Sequence, residues 1–86
     1  MKRHRKSNKI EVIERRLGRE GCDGLAWLGE NKIEIDPRQD SKEYMDTCIH
    51  ESLHIIWEDI KESEIRIAAK RITDVLWRQG FRKIQD

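Results

Sequence analysis

The pentad His50-Glu51-Ser52-Leu53-His54 limits what this chain can fold into more than any other segment. Residues four apart share a helix face, so a helix here sets the two imidazoles side by side. Two imidazoles at that spacing can close on one zinc ion. Glu51, one position round the helix, can reach a metal-activated water without ligating the metal, and there act as general base. One straight helix supplies only these two ligands. A second element must therefore come back to the first, leaving a half-buried cleft between them.

The rest of the chain has room for little more. Its 86 residues make one domain, without a second lobe to wall a deep cleft. Charged residues reach 41% and mean hydropathy is −0.89, but net charge is only +1. The apolar residues are periodic rather than diluted, which favours a compact domain with a thin core over disorder. Bound metal would add to its stability. Cys22 and Cys48 lack CxxC spacing and are too few for a disulfide scaffold. Cys48 is expected on the buried flank of the histidine helix, and the compartment is expected to be reducing and cytoplasmic. No apolar run suits a transmembrane helix or a signal peptide, so no membrane partner is expected.

Residues 1–9 carry five Lys/Arg plus His4 and read as a solvated basic tail ahead of a single domain at 10–86. Clustered cations can also contact phosphates, but no aromatic residue interleaves them to stack on bases. Residues 10–17 fit either a strand or a short helix entering the sheet, and the three glycines within residues 18–24 mark a loop. Leu25-Ala26-Trp27-Leu28 and Lys32-Ile33-Glu34-Ile35 flank Gly29-Glu30-Asn31 as a hairpin, stopped by Asp36-Pro37.

From Ser41 to about Asp59 the period becomes helical, with Asp40 and Glu43 as a capping pair. Met45, Cys48, Ile49, Leu53, Ile56 and Ile60 form its expected buried stripe. His50 and His54 flank that stripe, on a face shared with Thr47, Trp57 and Glu58. Ser63 is the expected cap of a last helix from Glu64 to about Gln79, with Gly80 ending it and Phe81 folding back. Its expected apolar face is Ile65, Ala68, Ala69, Ile72, Val75 and Leu76. Two helices so closely joined pack antiparallel. The fold class predicted is α+β: a small antiparallel sheet packed on the histidine helix and a returning C-terminal helix.

A catalytic zinc takes three protein ligands and leaves a position for water. Glu58 lies about 12 Å along the helix axis from His50 and is too far. Asp59, Glu62 and Glu64 remain, at or after the turn. Glu64 is the ligand expected here, because the start of the returning helix can aim a side chain at the first helix. Acidic residues are also ordinary in a first turn, where they offset the helix dipole, so Glu62 and Asp59 stay open.

His50-Glu51-Ser52-Leu53-His54, followed by an acidic turn and Glu64, resembles the gluzincin layout, in which a glutamate on the following helix completes the site. The chain is similar to very small zincin-like HExxH proteins of phages and bacteria, and more loosely to ImmA/IrrE-type peptidases. Those also place a β-hairpin before the metal helix, as residues 25–35 do here. The resemblance covers roughly residues 24–81. It implies a zinc metallopeptidase with His50, His54 and Glu64 as ligands and Glu51 as base. It also implies an extended peptide or protein substrate pairing with an edge strand, for which Ile33–Ile35 is the candidate, or a partner protein that carries recognition. Trp27 and Trp57 are candidates to line that groove, although core packing is the commoner use of such residues. Tyr44 and Arg66 are unranked candidates for oxyanion support.

Two other classes compete. Small endoribonucleases carry HGxLHxxGxDH, and HESLHIIWEDI follows that string at both histidines, the leucine and Asp59, but has Glu51 and Ile60 where a glycine and the third histidine belong. A non-catalytic, zinc-stabilised module binding protein or DNA also fits the small size and the basic tail.

Overall fold

The computed structural model describes residues 8–84, and the bulk of the expected basic tail lies outside them. The elements run β1 (Glu11–Glu14), a 3-10 turn (Gly18–Glu20), β2 (Gly24–Trp27), β3 (Lys32–Ile35), α1 (Ser41–Ile56) and α2 (Glu62–Arg78). The class is α+β, with three strands on one helix and a second helix behind it.

The hairpin forms where the sequence places it. Gly29 (φ 85°) and Asn31 (φ 53°) take the left-handed backbone that the turn requires. Gly24 pairs with Ile35 and Trp27 with Lys32, antiparallel. The sheet is nevertheless mixed rather than antiparallel. β1 lies parallel to β3, with Val12 opposite Ile33, and the strand order is β1-β3-β2. Asn31 fixes the start of that pairing. Its Nδ2 donates to Lys9 O at 2.7 Å and its carbonyl accepts from Glu11 N at 2.9 Å. The segment after β1 carries β2 past β3, so the returning β3 falls between the other two strands. Ile33–Ile35 is therefore the central strand, with both sides paired, and has no free edge for a peptide. The edge strand against α1 is β2.

Alternation along β3 puts Ile33 and Ile35 towards α1, where both are fully buried. Glu34 points to the opposite face and sits 3.1 Å from Arg15, whose guanidinium holds the carboxyl below its usual range. Asp36 closes the sheet end. Its Oδ2 accepts from Leu17 N at 2.9 Å, and its Oδ1 from Arg38 N and Nε at 3.0 and 2.9 Å. One buried carboxylate thus ties the exits of β1 and β3 together.

α1 starts as expected, with Asp40 Oδ1 accepting from Glu43 N at 2.9 Å. It ends at Ile56, short of Asp59, where Trp57 leaves helical dihedrals (φ −126°, ψ 83°). α2 begins at Glu62, two residues before the expected Glu64. Its cap is Lys61, which makes no side-chain capping bond, and Ser63 is already inside the helix. The C-terminus follows the Schellman pattern: Gly80 N donates to Trp77 O and Phe81 N to Leu76 O, both at 3.0 Å. Phe81 itself remains mostly exposed.

The helices meet along Leu53, Ile65 and Ala69, flanked by Ile49 and Ala68. Ile56, Ile60, Ile72 and Val75, expected in the two apolar stripes, are exposed. The reason is geometric. α2 touches α1 but not the sheet, so α2 is covered along one seam only, and neither neighbour of α1 reaches its last turn or the turn after it.

The Asp36 carboxyl is held well below its usual value, chiefly by Arg38 and also by the Leu17 amide. A depressed folded-state pKa means that its contribution is present above roughly pH 4 and fades as pH falls below it. Asp36→Asn should lower Tm at pH 7 by about 5 °C or more. Thermal melts should also show a smaller fall in Tm between about pH 4 and pH 2 for the variant than for wild type.

Candidate metal site and groove

On α1, Glu43, Thr47, His50, Glu51 and His54 follow helical spacing along the flank beside the buried stripe. The α1–α2 turn brings Glu62, the first residue of α2, back to this flank. Glu62 Oε2 lies 3.0 Å from His50 Nε2, and Oε1 lies 2.8 Å from His54 Nε2. The carboxylate thus spans both imidazoles, accepting from each when its Nε2 carries a proton. The ring centroids are 5.0 Å apart and the planes tilt by 56°.

Among the described residues, His50, His54 and Glu62 are the group whose donor atoms all fall within 4.8 Å of one another. Tetrahedral zinc with bonds near 2.1 Å needs donors about 3.4 Å apart. The two His–Glu separations need to open by only about half an ångström to meet that. Two imidazoles and one carboxylate are also the donor set of known catalytic zinc sites. In donor chemistry the three residues suit zinc, with all three donors within 4.8 Å of one another.

The third member is Glu62, not the expected Glu64. Two residues along a helix turn the side chain by about 200°, so a carboxylate at 64 leaves α2 on the other side. Glu64 is exposed, and its amide donates to Lys61 O in the first turn. Asp59, which also matched the endoribonuclease string, lies in the turn beyond α1 and outside the group. The choice between Glu62 and Glu64 depended on where α2 begins, and Lys61 gave no capping signal to mark it.

Glu51 is half-buried beside the pair. Burial raises its carboxyl above the usual value; the two histidines pull it down and Glu62 pushes it up. A carboxylate kept basic by burial suits a proton acceptor.

A groove crosses this site. On one side Gly24, Leu25, Ala26 and Leu28 line it with His50, Glu51, His54 and Glu62. On the other side, a cavity of about 280 Å³ shares Gly24, His50 and Glu51 and continues past Cys22, Asp23, Thr47 and Arg66. Cys22 was not foreseen here; its thiol is pushed up first by burial and then by Glu20 and Glu51. Trp27 and Trp57 line neither part. Trp27 lies 39% exposed with Lys32 over its ring at 5.1 Å, and Trp57 is 55% exposed. Of the two oxyanion candidates, Tyr44 is committed elsewhere, donating to Glu14 at 2.5 Å, whereas Arg66 lines the groove.

Gly24 permits the close approach of β2 to α1. A Cβ there would stand 2.6 Å from Thr47 Cγ2 and 3.0 Å from Glu51 Cγ. Gly24→Ala should cost about 1–3 kcal/mol in urea unfolding through overpacking. Adding Thr47→Ser removes the nearest methyl group and should recover part of that loss, since the hydroxyl that donates to Gln39 is kept.

No family model, curated protein or solved structure matches this chain.

Proposed function

We propose that this chain is a zinc-dependent metallopeptidase with a gluzincin-type arrangement, in which His50, His54 and Glu62 hold the metal. The observation that carries the reading is the convergence of two helical imidazoles and one carboxylate from the returning helix, with Glu51 half-buried beside them. When bound, zinc supplies Lewis acidity, polarising a carbonyl and acidifying water.

The protein's own groups do the rest. Glu51 takes the proton of the attacking water and delivers it to the departing amine, a cycle that a buried carboxylate of raised basicity can complete. Arg66 Nη2 lies 3.3 Å from Glu62 Oε2, restraining the carboxylate that faces His50, and its charge favours the oxyanion. β2 aligns the substrate. In its antiparallel pairing with β3, Asp23, Leu25 and Trp27 exchange hydrogen bonds inward, which leaves the Ala26 amide and carbonyl directed at the open edge. An extended peptide added there runs beside His50 and Glu51.

No helix of the described residues is long and apolar enough to cross a membrane. Cys22 and Cys48 are free, which supports a reducing, cytoplasmic setting.

Metal content of tag-free protein after zinc reconstitution tests the site. Wild type and Glu64→Ala should each hold about one zinc per chain, while His54→Ala and Glu62→Ala should lose it. Glu51→Gln should keep the metal and lose at least about 100-fold in peptide hydrolysis. Zinc retained by Glu62→Ala but lost from Glu64→Ala would overturn the ligand assignment.

A further inference from the structure

The sheet has a second face. Ile33 and Ile35 point to α1, so alternation turns Lys32 and Glu34 outward, together with Ile13 of β1 and Leu25 and Trp27 of β2. Of the two helices only α1 touches the sheet, and neither covers this outward face. Trp27 stands on it 39% exposed. The ring is nevertheless fixed in place: its indole N–H donates to Glu34, and Lys32 lies over it at 5.1 Å. A held, partly exposed ring is a surface on which a planar group can stack at little cost in side-chain entropy.

Cations flank the ring at both ends of β1. Past its exit, Arg15, Arg16, Arg19 and Arg38 surround a cavity of about 380 Å³, with Glu20 in the same lining. Arg15 is engaged by Glu20 and Glu34, and Arg38 by Asp36. Arg16 and Arg19 are exposed and have no carboxylate partner among the described residues. Before its start comes the basic run 2–9, which enters at the Trp27 end, because Glu11 and Trp27 both pair with Lys32. The acids of this face are largely taken up: Glu34 and Glu20 by Arg15, and Glu30 by Lys32 at 3.5 Å, which leaves Glu11. A separate observation comes from the distribution of charge. Residues 1–20 hold eight Lys/Arg against three Glu, whereas residues 21–86 hold ten Lys/Arg against fourteen Asp/Glu. The near-neutral total thus joins a basic end to an acidic body, the charge pattern of a chain that meets a polyanion.

We propose that the outward sheet face binds single-stranded nucleic acid, with Trp27 stacking on a base and Arg16, Arg19 and the N-terminal basic run contacting phosphates. Guanidinium groups meet phosphate through paired N–H donors, and stacking on an aromatic ring accepts any base. In a duplex the bases stack on one another and offer Trp27 no free ring, so the single strand is the form that suits both features. The sheet sets the spacing. From Glu11, level with Trp27, to Arg15 is about 13 Å along β1, a span of a few nucleotides. Read along the chain, the basic run has no aromatic beside it; the fold supplies one, because β3 lies between β1 and β2 and holds Trp27 level with the start of β1. Gly24 and Ala26 point the other way, towards α1 and the groove, so this face is independent of the peptidase reading.

Fluorescence anisotropy on the full chain tests it, using a labelled mixed-sequence strand of about 12 nucleotides, alone and annealed to its complement. At low salt the single strand should bind at least about tenfold tighter than the duplex. Trp27→Ala should weaken strand binding about tenfold with its salt dependence unchanged, and Trp27→Phe should recover most of that loss. Arg16→Gln/Arg19→Gln should instead lower the slope of log affinity against log salt by about one. No binding of the strand, or equal binding of strand and duplex, overturns the proposal without any variant having to fold. Unchanged affinity in folded Trp27→Ala overturns it too. So does loss of binding on adding a chelator, which places the strand at the metal site instead. Vesicles containing about one-third phosphatidylserine are the last probe. Binding to them but not to the strand makes the face a membrane contact and removes the nucleic-acid reading.

Discussion

α1 is the element on which everything else depends, because it alone touches both the sheet and the second helix. One side of it covers Ile33 and Ile35, and another meets Ile65 and Ala69. A helix packed on two sides keeps one flank that neither neighbour covers fully. The polar residues at 43, 46, 47, 50, 51 and 54 lie along that flank. The groove is what remains of the helix surface once two small cores have been formed.

A domain this small has little apolar area with which to hold its parts, and polar clamps take up the work. Asp36 joins the exits of two strands, and Asn31 secures the start of β1. Glu14 accepts from Tyr44 across the sheet–helix boundary. Glu62 does the same between the helices, where one carboxylate contacts both histidines. The groups proposed to bind metal are thus also part of the packing between α1 and α2. Their geometry is held by elements rather than by loops, apart from the short turn that sets the start of α2.

The local features were legible in the sequence and the non-local ones were not. The helical period from Ser41, the Asp40 cap, the hairpin around Gly29 and the shared face of His50 and His54 depend on neighbours in the chain. β1 does not: residues 10–17 fit a strand or a short helix alike, and the parallel pairing of Glu11–Glu14 depends on Asn31, far along the sequence. That pairing made β3 central and moved the open edge to β2. Which carboxylate meets the two histidines turned on a two-residue difference in where α2 begins, which Lys61 does not announce. Apolar periodicity named the sides that Ile56, Ile60, Ile72 and Val75 occupy, yet it carries no information on how far a neighbour extends to cover them.

The narrow seam of Leu53, Ile65 and Ala69 has a mechanical meaning as well as a thermodynamic one. Floor and first wall of the groove belong to the α1–sheet body, while the opposite wall belongs to α2, which is fastened to that body only through α1. The width of the groove is therefore a property of how the two helices dock. A side-chain change at Ala69 would alter the clearance over the groove while leaving the strand pairing untouched. In this architecture the aperture and the scaffold are adjustable separately.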